Sequence, residues 1–233
     1  MPKFPRPRDD IFRFSRISGI RLDIGASIRT ASRMTVFTCD GPLEWGALDL
    51  PMFGLSRDAD GRPLDPPAGF SLAVDGRRLW FLAHHRAAAS IHPRARPGSF
   101  QEELWKWDVA ELFVADAASG RYFEFNLAPN GSWWSCEFRA PRVREEETDI
   151  AFPEVATFAD VAADGAWLAA MAIPLDLLEA RIGFGRETTA NVTMILGSPD
   201  QRFFSATPLG VGPPDFHRPE FFPRISFASP PPA

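Results

Sequence analysis

The chain has few of the features that mark an exported or membrane-embedded protein. Its 233 residues include only two cysteines, Cys39 and Cys136. Two cysteines cannot build a disulfide framework; one bridge between them is an option, and two buried free thiols are the favoured alternative. No apolar run is long enough to span a membrane, and residues 1–10 lack the hydrophobic core of a signal peptide. We therefore expect a soluble cytoplasmic protein, or an extracellular or periplasmic one if a leader has been removed.

The chain also lacks an excess of basic charge. Its 25 Lys and Arg residues stand against 30 Asp and Glu residues, which gives a net charge of −5. Proteins that bind nucleic acid usually present a basic surface, so this balance argues against nucleic acid as the main partner. The arginines of the first 33 residues are interpreted as solvated charges. The sequence indicates no membrane partner either.

Catalytic signatures are scarce as well. The chain has four histidines and shows no Gly-x-Ser-x-Gly elbow, no phosphate-binding glycine loop and no dinucleotide fingerprint. A zinc site would need several histidines to converge with carboxylates, whereas His84 and His85 point to opposite faces if they continue a strand. The sequence therefore predicts no catalytic metal, no organic cofactor and no enzyme.

Aromatic residues are abundant, with 21 Phe and seven Trp but a single Tyr. Phe and Trp suit strands and sheet-on-sheet cores. Many short apolar runs separated by turn residues predict an all-β protein, an antiparallel β-sandwich of jelly-roll or immunoglobulin-like type, with one short helix over residues 174–180. We expect a single domain over residues 1–233, with an N-terminal arm at about 1–33 and a disordered tail at about 229–233.

Turn sequences predict where the β-hairpins lie. Asp-Gly pairs at residues 75–76 and 164–165 each separate two apolar runs, which is typical of a β-hairpin. Three further runs between residues 109 and 138 predict an antiparallel meander.

Two segments are predicted to lie outside the sheets. Residues 40–68 are rich in Gly and Pro and are predicted to form a long loop with little regular structure. Residues 139–152 are highly charged and are predicted to form a surface loop.

The segment that begins at Trp105 carries most of the chemistry. Trp105-Lys-Trp-Asp-Val-Ala-Glu111 places two indoles and two carboxylates at the start of a predicted strand. Indoles stack on the apolar C–H faces of sugars, and carboxylates accept hydrogen bonds from hydroxyl groups. Glu111 shares a strand face with Val109 and Phe113, where a carboxylate costs free energy unless it has a partner. The segment therefore predicts a saccharide ligand.

Three sequence blocks follow one another in a fixed order. They are Trp105-x-x-Asp108-x-x-Glu111 with Tyr122-x-Glu-x-Asn126-x-x-Pro129-x-Gly131, then Gly165-Ala-Trp167 to Ala172-Ile-Pro174, then Arg202-Phe-Phe-Ser205 to Phe216-His217-Arg-Pro219. Together they cover roughly residues 70–228 and resemble the family 9 carbohydrate-binding module and the wider DOMON-like sandwiches. The resemblance implies a β-sandwich that binds sugar without catalysis.

The resemblance also implies which residues bind. In such modules two indoles sandwich a terminal sugar ring, and Trp105 matches the first of them. Glu111 matches a hydroxyl acceptor, and the closing segment offers Phe203-Phe204 where the family has a tryptophan. The predicted carbohydrate-binding residues are Trp105, Trp107, Asp108, Glu111, Asn126 and Phe204.

Several of these residues have a structural alternative. Trp105 is equally consistent with a core indole, Asp108 with a loop cap or a cation ligand, and Glu124 and Asn126 with solvent exposure, although hairpin pairing would bring them near Glu111. The resemblance allows a structural calcium ion, but the chain has no Asp-rich loop of EF-hand type. Two other functions stay open: an enzyme acting on a sugar or glycoside, and a degenerate sandwich for protein–protein interaction, which the missing second Trp favours.

Overall fold

The computed structural model describes residues 33–210 and 212–231. The predicted N-terminal arm therefore lies outside the described residues except for Arg33, and so do the last two residues of the predicted tail. In the described part, no helix is long and apolar enough to cross a membrane.

The described residues form thirteen strands and one α-helix. The strands are β1 (Arg33–Thr38), β2 (Phe53–Arg57), β3 (Pro63–Val74), β4 (Arg78–His85), β5 (Val109–Asp116), β6 (Tyr122–Leu127), β7 (Trp133–Ala140), β8 (Val143–Arg144), β9 (Ala156–Val161), β10 (Trp167–Pro174), β11 (Thr188–Leu196), β12 (Arg202–Ser205) and β13 (Arg224–Ala228). The helix α1 (Leu175–Ile182) follows β10 directly. Two short 3-10 turns lie at Leu104–Lys106 and Pro219–Phe221.

The strands form a sandwich made from one continuous sheet. The front sheet runs β8-β7-β6-β5-β11 with β12 beside β11, and the back sheet runs β13-β1-β3-β4-β10-β9 with β2 beside β3. One pairing, Thr189 with Arg224, joins β11 to β13 and so connects the two halves. The predicted all-β sandwich is confirmed, and its pairings are antiparallel except those of β1, which runs parallel to both β13 and β3.

The main core lies between the two sheets. Leu112 and Val114 of the front sheet belong to the same buried cluster as Phe81 and Met171 of the back sheet. Because neighbouring residues of a strand point to opposite faces, Val109, Glu111 and Phe113 of β5 point to the outer face of the front sheet. That outer face is also covered, so β5 and β6 are buried on both sides.

The hairpins and the meander are confirmed. The Asp75-Gly76 turn joins β3 to β4, and the Asp164-Gly165 turn joins β9 to β10. The helix begins one residue after its predicted start and ends at Ile182. It is capped by Gly183, whose φ of 59° is the left-handed conformation that glycine adopts easily.

Two loop predictions were wrong in part. Within residues 40–68 lie all of β2 and the beginning of β3. Prolines in the first half of β3 suggested a break in regular structure. This part of β3 pairs with the edge strand β2, and the register between the two strands shifts between Leu55 and Arg57. Residues 139–152 contain the end of β7 and the short strand β8, so they form a hairpin rather than a plain surface loop.

The cysteines are unbridged. Cys136 is buried and Cys39 is half-buried, so only one of the two expected buried thiols is fully enclosed.

Candidate functional site

A pocket of about 330 Å³ opens on the outer face of the front sheet. Its floor comes from β5, β6, β7 and β11, and its walls come from the 3-10 turn at residues 104–106, the β7–β8 hairpin and the closing segment after β12. The lining residues are Trp105, Glu111, Phe113, Glu124, Trp134, Phe138, Arg142, Arg144, Ile195, Phe203, Pro214, Phe216 and His217.

Two carboxyl groups lie in the floor. Glu111 and Glu124 are only 2% and 4% exposed. Glu124 pairs across the strands with Phe113, two residues from Glu111, so the two carboxyl groups are diagonal neighbours on one face. The Thr193 hydroxyl, directly opposite Glu111 on β11, donates a hydrogen bond of 2.7 Å to Glu111 Oε2.

Burial makes both carboxyl groups weaker acids than usual. Loss of solvation raises the pKa of Glu111 to about 7, although the Thr193 hydrogen bond acts in the opposite direction. Burial and then the neighbouring Glu111 charge raise the pKa of Glu124 well above its ordinary value. Two neighbouring buried carboxylates repel each other, so ionisation of both at once is disfavoured.

Asn126 lies directly across from Glu111 and is fully buried. Its proximity lowers the pKa of Glu124 in the manner of a hydrogen bond, yet among the described residues neither polar atom of its amide meets hydrogen-bond geometry with a partner. A hydrogen bond needs both distance and alignment, so the Asn126 amide makes none within the described residues. Asn126 does not line the pocket itself.

A hydrogen-bonded chain connects the β7–β8 hairpin to Glu124. The Arg142 backbone N–H donates to Tyr122 Oη at 3.1 Å, so the Tyr122 hydroxyl proton is free to be donated to His217 Nδ1 at 2.9 Å. When Tyr122 donates to Nδ1, the histidine proton lies on Nε2, which is 3.6 Å from Glu124 Oε2. Burial and then Arg142 lower the pKa of His217 to about 4, so the imidazole is uncharged near neutral pH and the contact with Glu124 is not a salt bridge.

Aromatic rings form much of the wall. Trp105 is half-buried, and its indole meets that of Trp134 at 5.4 Å with an interplanar angle of 63°. Gln201 Nε2 donates to the Trp105 carbonyl at 2.8 Å and so fixes the turn that carries this indole. Phe203 and Phe216 form a second edge-to-face pair at 6.0 Å.

Two guanidinium groups stand at the entrance. Arg142 has a φ of 59°, a left-handed conformation that is unfavourable for an arginine, and its Nη2 donates to Asp215 Oδ1 at 2.7 Å. Arg144 is ion-paired with Asp149 and lies over the Trp134 ring, 5.6 Å from its centroid.

Of the predicted binding residues, Trp105 and Glu111 lie together in this pocket. Trp107 does not line it and instead meets His92 edge-on at 5.9 Å. Asp108 is also elsewhere: it is buried, and its two carboxylate oxygens accept backbone N–H groups of Ser90 at 3.1 Å and Ser198 at 2.9 Å. Asp108 therefore fastens two loops, which is the structural alternative weighed above.

The prediction that Phe204 contacts the sugar is wrong. Its ring is fully buried in the main core between the sheets, where no ligand can stack on it. Phe203 pairs with Ile195 on the pocket face, so the next residue of the strand points to the opposite face. Phe203 is therefore the aromatic residue that β12 supplies to the pocket.

Several pocket residues were not among the predicted binding residues. For Glu124 the sequence left two alternatives, solvent exposure and a polar site shared with Glu111 through hairpin pairing, and the structure places it beside Glu111 in the pocket. Arg142, Arg144 and the closing-segment residues His217 and Phe216 reach the pocket only through the tertiary fold.

The side chains of the described residues do not assemble a metal centre. Among residues 33–210 and 212–231, no group of three or more His, Cys, Asp or Glu side chains is placed to hold a metal ion. The structural calcium ion that the resemblance allows therefore has no such side-chain ligand set in the described residues.

Comparison with known proteins establishes the fold. Neither a protein-family model nor a curated protein matches the sequence. A solved structure of a proposed carbohydrate-binding protein from Bacteroides uniformis is similar, with a TM-score of 0.65 and 20% identity, covering 84% of this chain and 99% of that chain.

A family 9 carbohydrate-binding module from Caldicellulosiruptor kristjanssonii is similar in two further structures. Its complex with cellotriose gives a TM-score of 0.56 at 11% identity, covering 84% of this chain and 94% of that chain. Its complex with glucose gives a TM-score of 0.55 at 12% identity, covering 84% and 96%. The resemblance to family 9 modules is thereby confirmed for the fold.

Proposed function

We propose that the chain binds a saccharide, without converting it, in the pocket on the outer face of the front sheet. The observation that carries this proposal is the half-buried indole of Trp105 beside a floor that contains two buried carboxyl groups. An indole offers a face for the C–H groups of a sugar ring, and carboxyl groups exchange hydrogen bonds with hydroxyl groups. The cellotriose and glucose complexes of proteins with the same fold support a sugar ligand.

The pocket dimensions favour a short ligand. A volume of about 330 Å³ lies at the small end of the range for ligand pockets. We therefore expect the pocket to take the terminal residue of a saccharide rather than a long stretch of polysaccharide.

Each part of the lining has a distinct role in this proposal. Trp105 and Phe203 supply stacking surface. Glu111 and Glu124 bond hydroxyl groups from the floor, and their raised pKa values let the pair donate as well as accept. His217, held as the neutral tautomer by Tyr122, adds a donor fixed in direction.

Catalysis on a sugar is the alternative that the same floor suggests. Two carboxyl groups flanking a bond are the usual equipment of glycosidases, and Glu111 with Glu124 forms a close pair in a pocket. Release of reducing sugar from a glycoside panel, lost in Glu111→Gln, would establish an enzyme. We expect no such release.

The direct test is calorimetric titration with glucose, cellotriose and other short saccharides. We expect saturable binding that Trp105→Ala weakens roughly tenfold or more, because it removes the stacking face. Trp107→Ala is the matched control: it removes an indole two residues away that does not line the pocket, so the affinity should stay close to that of the parent chain. Equal sugar affinity in Trp105→Ala and the parent chain would refute the proposed site.

A further inference from the structure

The pocket entrance carries more positive charge than a neutral sugar requires. Arg142 and Arg144 both line it, separated by one residue in the β7–β8 hairpin. Their carboxylate partners Asp215 and Asp149 do not line the pocket. Among the charged groups of the lining, the two guanidinium groups are the exposed ones, with side-chain exposures of 61% and 37%, whereas Glu111 and Glu124 are buried.

The other titratable groups of the lining do not offset these charges fully. Glu111 and Glu124 are buried in the floor and have raised pKa values, so ionisation of both at once is disfavoured. His217 is neutral, and both arginines contribute to keeping it so. The positive charge of the lining is therefore concentrated on the more exposed Arg142 and Arg144, over two buried carboxyl groups whose raised pKa values disfavour ionisation.

Both arginines retain hydrogen-bonding capacity. A guanidinium has five N–H donors in a planar fork that matches a carboxylate. In the described part of the chain, the side chain of Arg142 donates to Asp215 alone, and that of Arg144 to Asp149 alone. Most of the donors on each fork are therefore available to a ligand.

The position of Arg142 is fixed in advance. Its backbone N–H bonds Tyr122, its guanidinium bonds Asp215 of the closing segment, and its backbone adopts the unfavourable left-handed conformation. Its side chain remains 61% exposed, so a ligand can reach it. A group held in place before binding loses little conformational freedom when the ligand arrives.

We infer that the pocket selects a sugar that carries a carboxylate, a uronic acid residue, whose carboxylate is bound by Arg142 and Arg144 while its ring lies against Trp105. This inference rests on the proposed saccharide-binding function and names the class of sugar. A sugar phosphate shares the anionic chemistry. We commit to the carboxylate because the pocket is small and a planar carboxylate matches one fork edge-on.

The test compares matched sugars by calorimetric titration at pH 7.5. The probes are methyl glucuronide and methyl glucoside, which differ at C6 alone, together with glucose 6-phosphate. We expect the glucuronide to bind at least about tenfold more tightly than the glucoside, since hydrogen bonds between charged groups are among the strong ones. Arg142→Gln should reduce this ratio towards one.

Arg139→Gln is the matched control. It removes an exposed arginine of β7, three residues before Arg142, that does not line the pocket, and the preference for the glucuronide should persist. A preference that Arg142→Gln leaves intact would overturn the inference, as would tighter binding of the glucoside or of glucose 6-phosphate. In these cases sugar binding itself still stands, whereas binding of none of the sugars would overturn the proposed function too.

Discussion

Replacing Glu111 with glutamine tests how much a buried carboxyl group reduces the unfolding free energy, because the substitution removes the charge and keeps the shape of the side chain. Burial raises the pKa of Glu111 from 4.5 to about 7. Between these values the unfolded chain has already lost this proton while the folded chain still holds it, so stability falls as the pH rises. Below 4.5 both states are protonated and above about 7 both are ionised, so the loss is confined to that window.

The size of the effect follows from the same two pKa values. An interval from 4.5 to about 7 corresponds to roughly 3 kcal/mol of unfolding free energy. The Glu111→Gln chain does not titrate at this position, and its amide oxygen still accepts the Thr193 hydroxyl. Removing the Glu111 charge also lowers the pKa of Glu124, which adds to the gain. We expect the variant to match the parent near pH 4.5 and to be more stable by roughly 2–3 kcal/mol at pH 8.

Urea unfolding at pH 4.5, 6 and 8 measures this difference. The control is Glu179→Gln, the same substitution at an exposed position of α1, which should leave the pH dependence unchanged. If Glu111→Gln were less stable than the parent chain at pH 8, or differed from it equally at every pH, the reasoning about the buried carboxyl would be wrong.

Two further predictions concern residues that were expected to bind sugar. Phe204→Ala should cost about 3–5 kcal/mol of stability, because it opens a cavity in the core, whereas Phe203→Ala should cost less stability and weaken sugar binding; chemical unfolding and calorimetric titration of both variants distinguish the two roles. Asp108→Ala should cost roughly 3 kcal/mol in the same unfolding assay, because it leaves the backbone N–H groups of Ser90 and Ser198 without their acceptor; an unchanged stability would contradict its role in fastening the two loops.

The hairpins could be predicted from sequence because their determinants are local. The turn at Asp75-Gly76 needs only a glycine with positive φ between two apolar runs, and Gly76 has a φ of 83°. The parallel pairings of β1 with β13 and β3 could not be predicted in this way. They join segments that are far apart in the chain, and no turn links them.

The pocket was predictable only where its residues belong to one sequence motif. Trp105 and Glu111 stand six positions apart, and both lie in the lining. Arg142 and His217 arrive from distant segments, so the pattern around the motif does not contain them. Phe203 and Phe204 differ by one residue, and only the pairing of β12 with β11 decides which ring faces the pocket.

Of the two alternatives for Glu124, solvent exposure is wrong and proximity to Glu111 is right. Exposure would follow if one face of the front sheet were solvated, as in many antiparallel sheets. The closing segment and the β7–β8 hairpin cover that face, so Glu124 is only 4% exposed. A polar residue that alternates with core residues is therefore not evidence of solvent contact when later segments of the chain cover the face.

The two outer faces of the sandwich are covered in opposite ways. On the back sheet, the segment after β1 brings Trp45 onto Phe158 at 5.5 Å, and Phe158 in turn stacks on Trp80 at 6.0 Å, so apolar rings fill the space. On the front sheet, the covering segments leave a pocket of about 330 Å³ over two buried carboxyl groups that lower stability near neutral pH. Apolar side chains in this space would make the fold more stable, as they do on the back sheet. The retained cavity and its costly polar floor therefore favour ligand binding at the front face.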